Sequence, residues 1–176
     1  MNFVKYEVTL TVLINILKLK NAPGEKLTFN FSKQVENIEV GGQLLKFVGP
    51  VEVTGEIVSR GNHFEVKGET RAKILAVCNN CLEPFELTLA GSLEEVYTRD
   101  EDFDVDSEMI GFTGDTLNIE PEVIKSLILE LPMRLVCSPE CRGLCQQCGA
   151  NLNITQCNCQ HDNIDPRLAV LKQLQQ

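Results

Sequence analysis

Eight cysteines in four close pairs constrain this chain of 176 residues more than any other feature. The pairs have spacers of two, three, two and one residues: Cys78/Cys81, Cys137/Cys141, Cys145/Cys148 and Cys157/Cys159. Two thiolates on a short turn can face one ion, and four of them complete a tetrahedral zinc site. The pattern therefore predicts structural zinc.

The cellular compartment decides between metal and disulfides. The apolar run from Val8 to Leu17 is too short to span a bilayer, and Thr9, Thr11 and Asn15 interrupt it. It has neither a basic leader nor a cleavage site, so we do not interpret it as a signal peptide. We expect a cytoplasmic protein, in which cysteines stay reduced and close pairs indicate metal.

The spacing divides the cysteines into two predicted sites. One is a compact, ribbon-like site, because its two pairs enclose only residues 149–156. The other joins two pairs with 55 residues between Cys81 and Cys137, and it would clip the C-terminal segment onto the rest of the chain. We predict two structural Zn²⁺ ions, although a single ion stays open. A one-residue spacer is unusual for a zinc knuckle, so His161 is an alternative ligand to Cys159.

Alternating apolar and polar residues predict β structure in the N-terminal half. Four runs alternate, separated by turn signals such as Gly61-Asn62: Leu27–Phe31, Val51–Ile57, His63–Thr70 and Phe85–Leu89. Short connections favour antiparallel neighbours. We expect an antiparallel meander or a partly closed barrel.

The pattern changes after residue 118. Pro121 suits the first turn of a helix that Asn118 would cap, and Pro132 would end it. Asp165-Pro166 predicts a short final helix. The fold class we predict is α+β in four parts: a β-rich core (1–98), an acidic loop (99–118), a helix packed on the core (119–136) and a cysteine-rich zinc-binding segment with a terminal helix (137–176).

The net charge of −9 comes from one segment. Residues 92–122 contain eleven acidic residues and a single base, Arg99, whereas the remainder of the chain is close to neutral. We interpret the segment as a solvated loop. The alternative is an acidic arm that docks on a basic partner.

Nothing in the sequence favours an enzyme. There is no Gly-rich phosphate loop and no Ser/His/Asp or Cys/His set. Pro84 and a strand follow Cys78-x2-Cys81, whereas a dithiol redox site requires a helix there. A closed four-sulfur site leaves no position for substrate or water. The alternatives that stay open are a metal-dependent nuclease, a dithiol redox enzyme, and a zinc store or chaperone.

Four motifs along the chain occur together. They are Ile14-Asn15-Ile16-Leu17-Lys18-Leu19, then Cys78-x-x-Cys81-Leu82-x-Pro84-Phe85, then Cys137-x3-Cys141-x-Gly143-Leu144-Cys145-x-x-Cys148-Gly149-x-Asn151-Leu152-Asn153 with Cys157-x-Cys159, and finally Asp165-Pro166-Arg167-Leu168-Ala169-x-Leu171. In this combination the chain resembles the YceD family of large ribosomal RNA subunit accumulation proteins. The resemblance covers about residues 13–174.

The resemblance implies a function that the residues alone do not. It implies a bacterial or plastid protein that supports 23S rRNA accumulation or processing without a defined catalytic activity. Its partner would be rRNA or a large-subunit ribosomal protein, with no membrane and no small-molecule substrate. The charge of residues 1–91 is zero, which argues against a strong nucleic-acid binder.

Overall fold

The computed structural model describes residues 12–40, 43–99 and 109–159. Within them the chain forms nine strands and one helix, in the order β1 (Leu13–Asn15), β2 (Lys26–Gln34), β3 (Ile38–Val40), β4 (Gln43–Phe47), β5 (Pro50–Ser59), β6 (His63–Val77), β7 (Pro84–Arg99), β8 (Ile110–Phe112), β9 (Thr116–Asn118) and α1 (Glu120–Leu129).

A long hairpin is the centre of the fold. β6 and β7 pair antiparallel from His63↔Thr98 to Val77↔Pro84. Along β6, side chains alternate between the core and the outer face, as strand geometry requires. The turn that closes this hairpin contains the first cysteine pair, Cys78 and Cys81. The hairpin therefore determines where the candidate site lies.

The other strands extend the sheet on both sides of the hairpin. β5 pairs with β6 and β2 pairs with β5, both antiparallel, and β8 pairs with the end of β7 in parallel. β4 pairs with the other end of the same β6 edge, and β3 pairs with β4. Residues between β4 and β5 bulge out, although Val48 still donates its N–H to the carbonyl of Lys73 at 2.9 Å.

One face of the sheet is covered by the helix and by a small two-stranded sheet. α1 buries Val123, Ile124 and Leu127 against this face. β1 and β9 pair antiparallel beside it, and they bury Ile14 and Leu117. These apolar side chains form one continuous core with those of the main sheet. No helix among the described residues is long and apolar enough to cross a membrane.

The helix approaches the sheet most closely at Gly91 of β7. A Cβ at this position would lie 2.8 Å from the carbonyl oxygen of Ser126 and 2.8 Å from Thr70 Oγ1. The hydroxyls of Thr70 and Ser126 are themselves 2.8 Å apart and buried, so they satisfy each other across this contact. Only glycine lets the helix reach this pair.

Replacing Gly91 by alanine is expected to lower the free energy of unfolding by about 1–3 kcal/mol, because the methyl group displaces the helix and strains the buried hydroxyl pair. Urea denaturation of the purified protein measures the change. Gly49→Ala is the matched control, since no atom lies within 4 Å of its Cβ position. Equal stability of the two variants would contradict this account of the contact.

The predicted fold class is wrong in its helical part. The four alternating runs do lie within β2, β5, β6 and β7. However, 50% of the described residues are strand and only 7% are helical, all in α1, so the fold is mainly β and not α+β. The reason is that residues 130–159 consist of turns, bends and irregular backbone, with one isolated bridge between Leu144 and Asn151, so this segment adds no further helix and contains no true ribbon.

The predicted barrel closure is also wrong, because the sheets are open. β8 is three residues long, and it pairs only with the end of β7 rather than continuing round to β2. The strands β8 and β9 lie within the segment that we interpreted as an acidic loop. The division into four parts stays a prediction, and the final helix with His161 lies outside the described residues.

The start of α1 differs in detail from its prediction. Ile119 occupies the cap position and makes no side-chain cap hydrogen bond. Asn118 instead accepts the backbone N–H of Glu120 with its Oδ1 at 3.1 Å. Pro121 lies in the first turn, where its missing N–H has no consequence. Asn118 therefore stabilises the start of the helix from the position before the cap residue, Ile119.

Candidate metal centres

The turn of the β6–β7 hairpin presents the first pair of sulfurs. Cys78 and Cys81 are 0% and 3% exposed. Leu82 donates its N–H to the carbonyl of Cys78 at 2.9 Å, and Cys78 donates its own to Glu83 at 2.9 Å. Leu82 adopts φ 60°, a left-handed conformation that is uncommon for a leucine. This tight turn aims both thiols to the same side.

The second pair reaches the turn from the segment after α1. Asn79 donates its N–H to the carbonyl of Leu135 at 2.8 Å, and Arg134 donates to Asn80 Oδ1 at 2.7 Å. These bonds bring residues 137–141 beside the hairpin turn. The result is a group that we call cluster A: Cys78, Cys81, Cys137 and Cys141.

The sulfur–sulfur distances in cluster A match a tetrahedral zinc site. Cys78 Sγ lies 3.8 Å from Cys141 Sγ, and Cys81 Sγ lies 3.7 Å from Cys137 Sγ. A Zn–S bond of about 2.3 Å gives a tetrahedron with an edge of about 3.8 Å. A disulfide would need about 2.05 Å. All four sulfurs lie within 4.8 Å of one another, so they enclose a position for one ion.

Backbone N–H groups prepare cluster A for negative charge. Asn80 and Cys137 each donate to Cys78 Sγ at 3.4 Å. Burial opposes ionisation of Cys78, but these donors outweigh it and lower its pKa to about 6. Contact with the sulfur of Cys141, and then burial, raises the pKa of Cys137 to about 12. A divalent cation would favour the thiolate at all four positions.

The last four cysteines form a second group, cluster B: Cys145, Cys148, Cys157 and Cys159. Their sulfurs also lie within 4.8 Å of one another. Gly149 has φ +72° and donates its N–H to the carbonyl of Cys145 at 2.9 Å, which closes a knuckle turn. The N–H groups of Cys148 and Gln147 lower the pKa of Cys145 to about 6. Contact with the Cys148 sulfur raises the pKa of Cys159 to about 12.

Both clusters could hold a metal ion. The structure brings together the same two groups of four that the spacing predicts, and that metal occupies them stays a prediction. Each group supplies four protein ligands, which completes a tetrahedron and leaves no position for a substrate. The arrangement therefore fits a structural ion better than a catalytic one.

Sequence reasoning missed the polar residues around the sulfurs. Asn153 donates from Nδ2 to Cys141 Sγ at 3.4 Å, and Asn151 donates to Glu83 at 3.4 Å. The run of asparagines that surrounds the cysteines was the available signal, because amide side chains bond readily to turns and to thiolates.

Comparison with known proteins identifies the family. A family model described as Large ribosomal RNA subunit accumulation protein YceD matches residues 66–175, which include both clusters. The chain belongs to the YceD family. The resemblance seen in the sequence motifs is confirmed.

Relatives of this YceD-family chain come from bacteria and from plants. An uncharacterised protein of Mycobacterium tuberculosis is 33% identical over 113 residues, which are 62% of this chain and 54% of that protein. A chloroplast protein of Arabidopsis thaliana, named as a homologue of the large ribosomal RNA subunit accumulation protein, is 25% identical over 146 residues, 66% of this chain and 46% of that protein.

A third relative matches along almost its whole length. The uncharacterised protein YlbN of Bacillus subtilis is 23% identical over 165 residues, 90% of this chain and 94% of that protein. By contrast, this chain spans about half the length of the mycobacterial and plant relatives. No solved structure matches it.

Proposed function

We propose that this chain is a non-enzymatic, zinc-stabilised factor in large ribosomal subunit biogenesis, which supports 23S rRNA accumulation or processing in a bacterial cytoplasm. The observation that carries the proposal is the match to the YceD family over residues 66–175. Both cysteine clusters lie within that match, so the proposed metal centres belong to the part of the chain that carries the family signal.

Zinc is the metal that the clusters favour. Sites with four sulfur ligands bind zinc or iron–sulfur groups. Four sulfurs within 4.8 Å of one another have room for one ion and not for a cluster of several irons. Zinc with four thiolates needs no redox partner and no open coordination position. We therefore propose one structural Zn²⁺ in each cluster, bound by the eight cysteines.

The same geometry disfavours the other functions. A metal-dependent nuclease needs an open position on its metal, and a dithiol redox enzyme needs two unligated thiols. A zinc store would have to release its ion readily. Cys78 and Cys81 are almost fully buried, and Cys78 receives two backbone N–H groups, which favours retention.

Charge favours a basic ribosomal protein over rRNA as the direct partner. The chain carries a formal net charge of −9, and each zinc with four thiolates adds about −2. Phosphate groups of RNA are repelled by such a chain, whereas a basic protein is attracted to it. The partner that we propose is therefore a large-subunit ribosomal protein, with direct rRNA contact as the alternative.

Co-sedimentation with large-subunit precursors tests the proposal. We expect the protein in precursor fractions at low salt and its release as salt rises, because charge contacts are screened. Depletion should lower the ratio of large-subunit to small-subunit rRNA. Crosslinking to protein supports the partner that we favour, and crosslinking only to RNA supports the alternative. No association at low salt, with an unchanged rRNA ratio, would refute the function.

A further inference from the structure

Cluster A and cluster B are joined by a short, well-bonded connection. Three residues separate Cys141 of cluster A from Cys145 of cluster B. One of them, Leu144, donates its N–H to the carbonyl of Asn80, inside the turn of cluster A, at 3.0 Å. Another, Gly143, lies so close that a Cβ would be 3.1 Å from the same carbonyl oxygen. A displacement of this connection therefore disturbs both clusters.

The loop of cluster B, residues 149–156, also returns to cluster A. Its Asn153 donates from Nδ2 to the sulfur of Cys141 at 3.4 Å. The Oδ1 of Asn153 accepts the N–H of Arg142 at 2.8 Å, and its Nδ2 also contacts Asn151 Oδ1 at 3.0 Å. A side chain of the cluster B loop is thus held in place as a hydrogen-bond donor to a ligand of cluster A.

Cluster B holds this loop from both ends. The loop lies between Cys148 and Cys157, and both of these sulfurs belong to cluster B. Between these ends, and among the described residues, its backbone bonds only to neighbouring parts of the same segment: Leu152 donates its N–H to Gly143 at 2.9 Å, Gly149 donates to Cys145 at 2.9 Å, and Ala150 accepts the N–H of Cys145 at 2.8 Å. The side chain of Asn151 also reaches Glu83, at 3.4 Å. An ion in cluster B would close the loop by linking its two ends, and closure restricts where Asn153 can lie.

We propose that the two clusters bind metal cooperatively, with Asn153 as the positioning residue that links them; this rests on the proposed zinc centres. An ion in cluster B fixes the loop, and Asn153 then stabilises the thiolate of Cys141. Zinc in cluster B therefore raises the zinc affinity of cluster A, and linkage requires the reverse effect to be equal. Residues that hydrogen-bond to metal ligands commonly change metal affinity 10–100-fold, so we expect at least a tenfold coupling.

Native mass spectrometry at limiting zinc measures this coupling directly. In the unaltered protein we expect the species with zero and two zincs to dominate and the one-zinc species to be scarce. Asn153→Ala should still bind two zincs but accumulate the one-zinc species. Asn158→Ala is the matched control, because it changes an exposed asparagine next to Cys157 that has no hydrogen-bond partner among the described residues. It should behave as the unaltered protein does.

A double-mutant cycle assigns the coupling to Asn153. Cys148→Ser disables cluster B, and chelator competition should then show cluster A binding zinc at least tenfold more weakly. Adding Asn153→Ala to Cys148→Ser should produce no further loss, because the loop no longer positions the amide. The coupling would be overturned if the unaltered protein showed the proportion of one-zinc species expected for two independent sites, or if the two substitutions lowered zinc affinity additively. Either result would leave the proposed metal centres standing. A protein that binds no zinc would overturn the metal centres as well.

Discussion

Replacing Cys137 by serine is expected to release the C-terminal segment from the sheet and to reduce bound zinc from two ions to one. Cluster A links residues 56 apart, Cys81 and Cys137. Cross-linking a chain over such a loop stabilises the folded state by about 4 kcal/mol through the entropy of the unfolded chain. We therefore expect a loss of about that size in the free energy of unfolding, measured by urea denaturation together with metal analysis.

Cys148→Ser is the control for this change, because it removes one sulfur from cluster B and leaves the long-range link intact. It should cost one zinc ion as well, but with a smaller loss of stability. Hydrogen exchange distinguishes the two variants: the backbone N–H of Asn79, bonded to Leu135, should lose protection in Cys137→Ser and keep it in Cys148→Ser. Equal stability of Cys137→Ser and the unaltered protein would rule out a stabilising link between the hairpin turn and the C-terminal segment.

Phe64→Ala is expected to be among the most destabilising changes in the apolar core, by about 3–5 kcal/mol. Phe64 is 0% exposed, and its ring packs edge-on against Phe112 with centroids 5.6 Å apart. Phe112 belongs to β8, which has only three residues paired to β7. Loss of the ring should therefore loosen β8 in addition to leaving a cavity.

Urea denaturation and metal analysis of Phe64→Ala separate the core from the metal centres. Phe64 lies near the start of β6 and Cys78 directly follows its end, so the folded variant should keep its two zinc ions despite the lower stability. Val48→Ala is the control, because this side chain is 47% exposed and its loss should change stability by less than about 0.5 kcal/mol. A similar effect of both changes would show that Phe64 does not anchor the core.

Local patterns predicted the hairpin strands and the cysteine groups, because each depends on residues close in sequence. His63–Thr70 alternates as β6 does, and close pairs of cysteines need only a turn to face one ion. The pairing of β1 with β9, at Leu13↔Asn118, was not predictable. Three-residue strands have no period to detect, and their stability comes from burial against a distant part of the chain.

The helical content of the described residues was overestimated, because the segment predicted as a helix, 119–136, contains only the ten residues of α1. Pro121 lies in the first turn of α1 as predicted, but the helix ends at Leu129, before Pro132, and turns or irregular backbone follow it. The contacts that hold the clusters, such as Asn153 with Cys141, depend on side-chain directions that spacing does not determine. Cysteine spacing therefore predicted which residues meet, and the structure was needed to find what supports them.

The position of Cys78 and Cys81 in the hairpin turn has a consequence for synthesis on the ribosome. Translation proceeds at about 5–20 residues per second, so Cys137, 56 residues after Cys81, emerges roughly 3–11 s later. During that interval the growing chain presents only half of cluster A. The β6–β7 hairpin can already form, because its strands are adjacent in sequence, whereas cluster A is completed only when the later cysteines arrive.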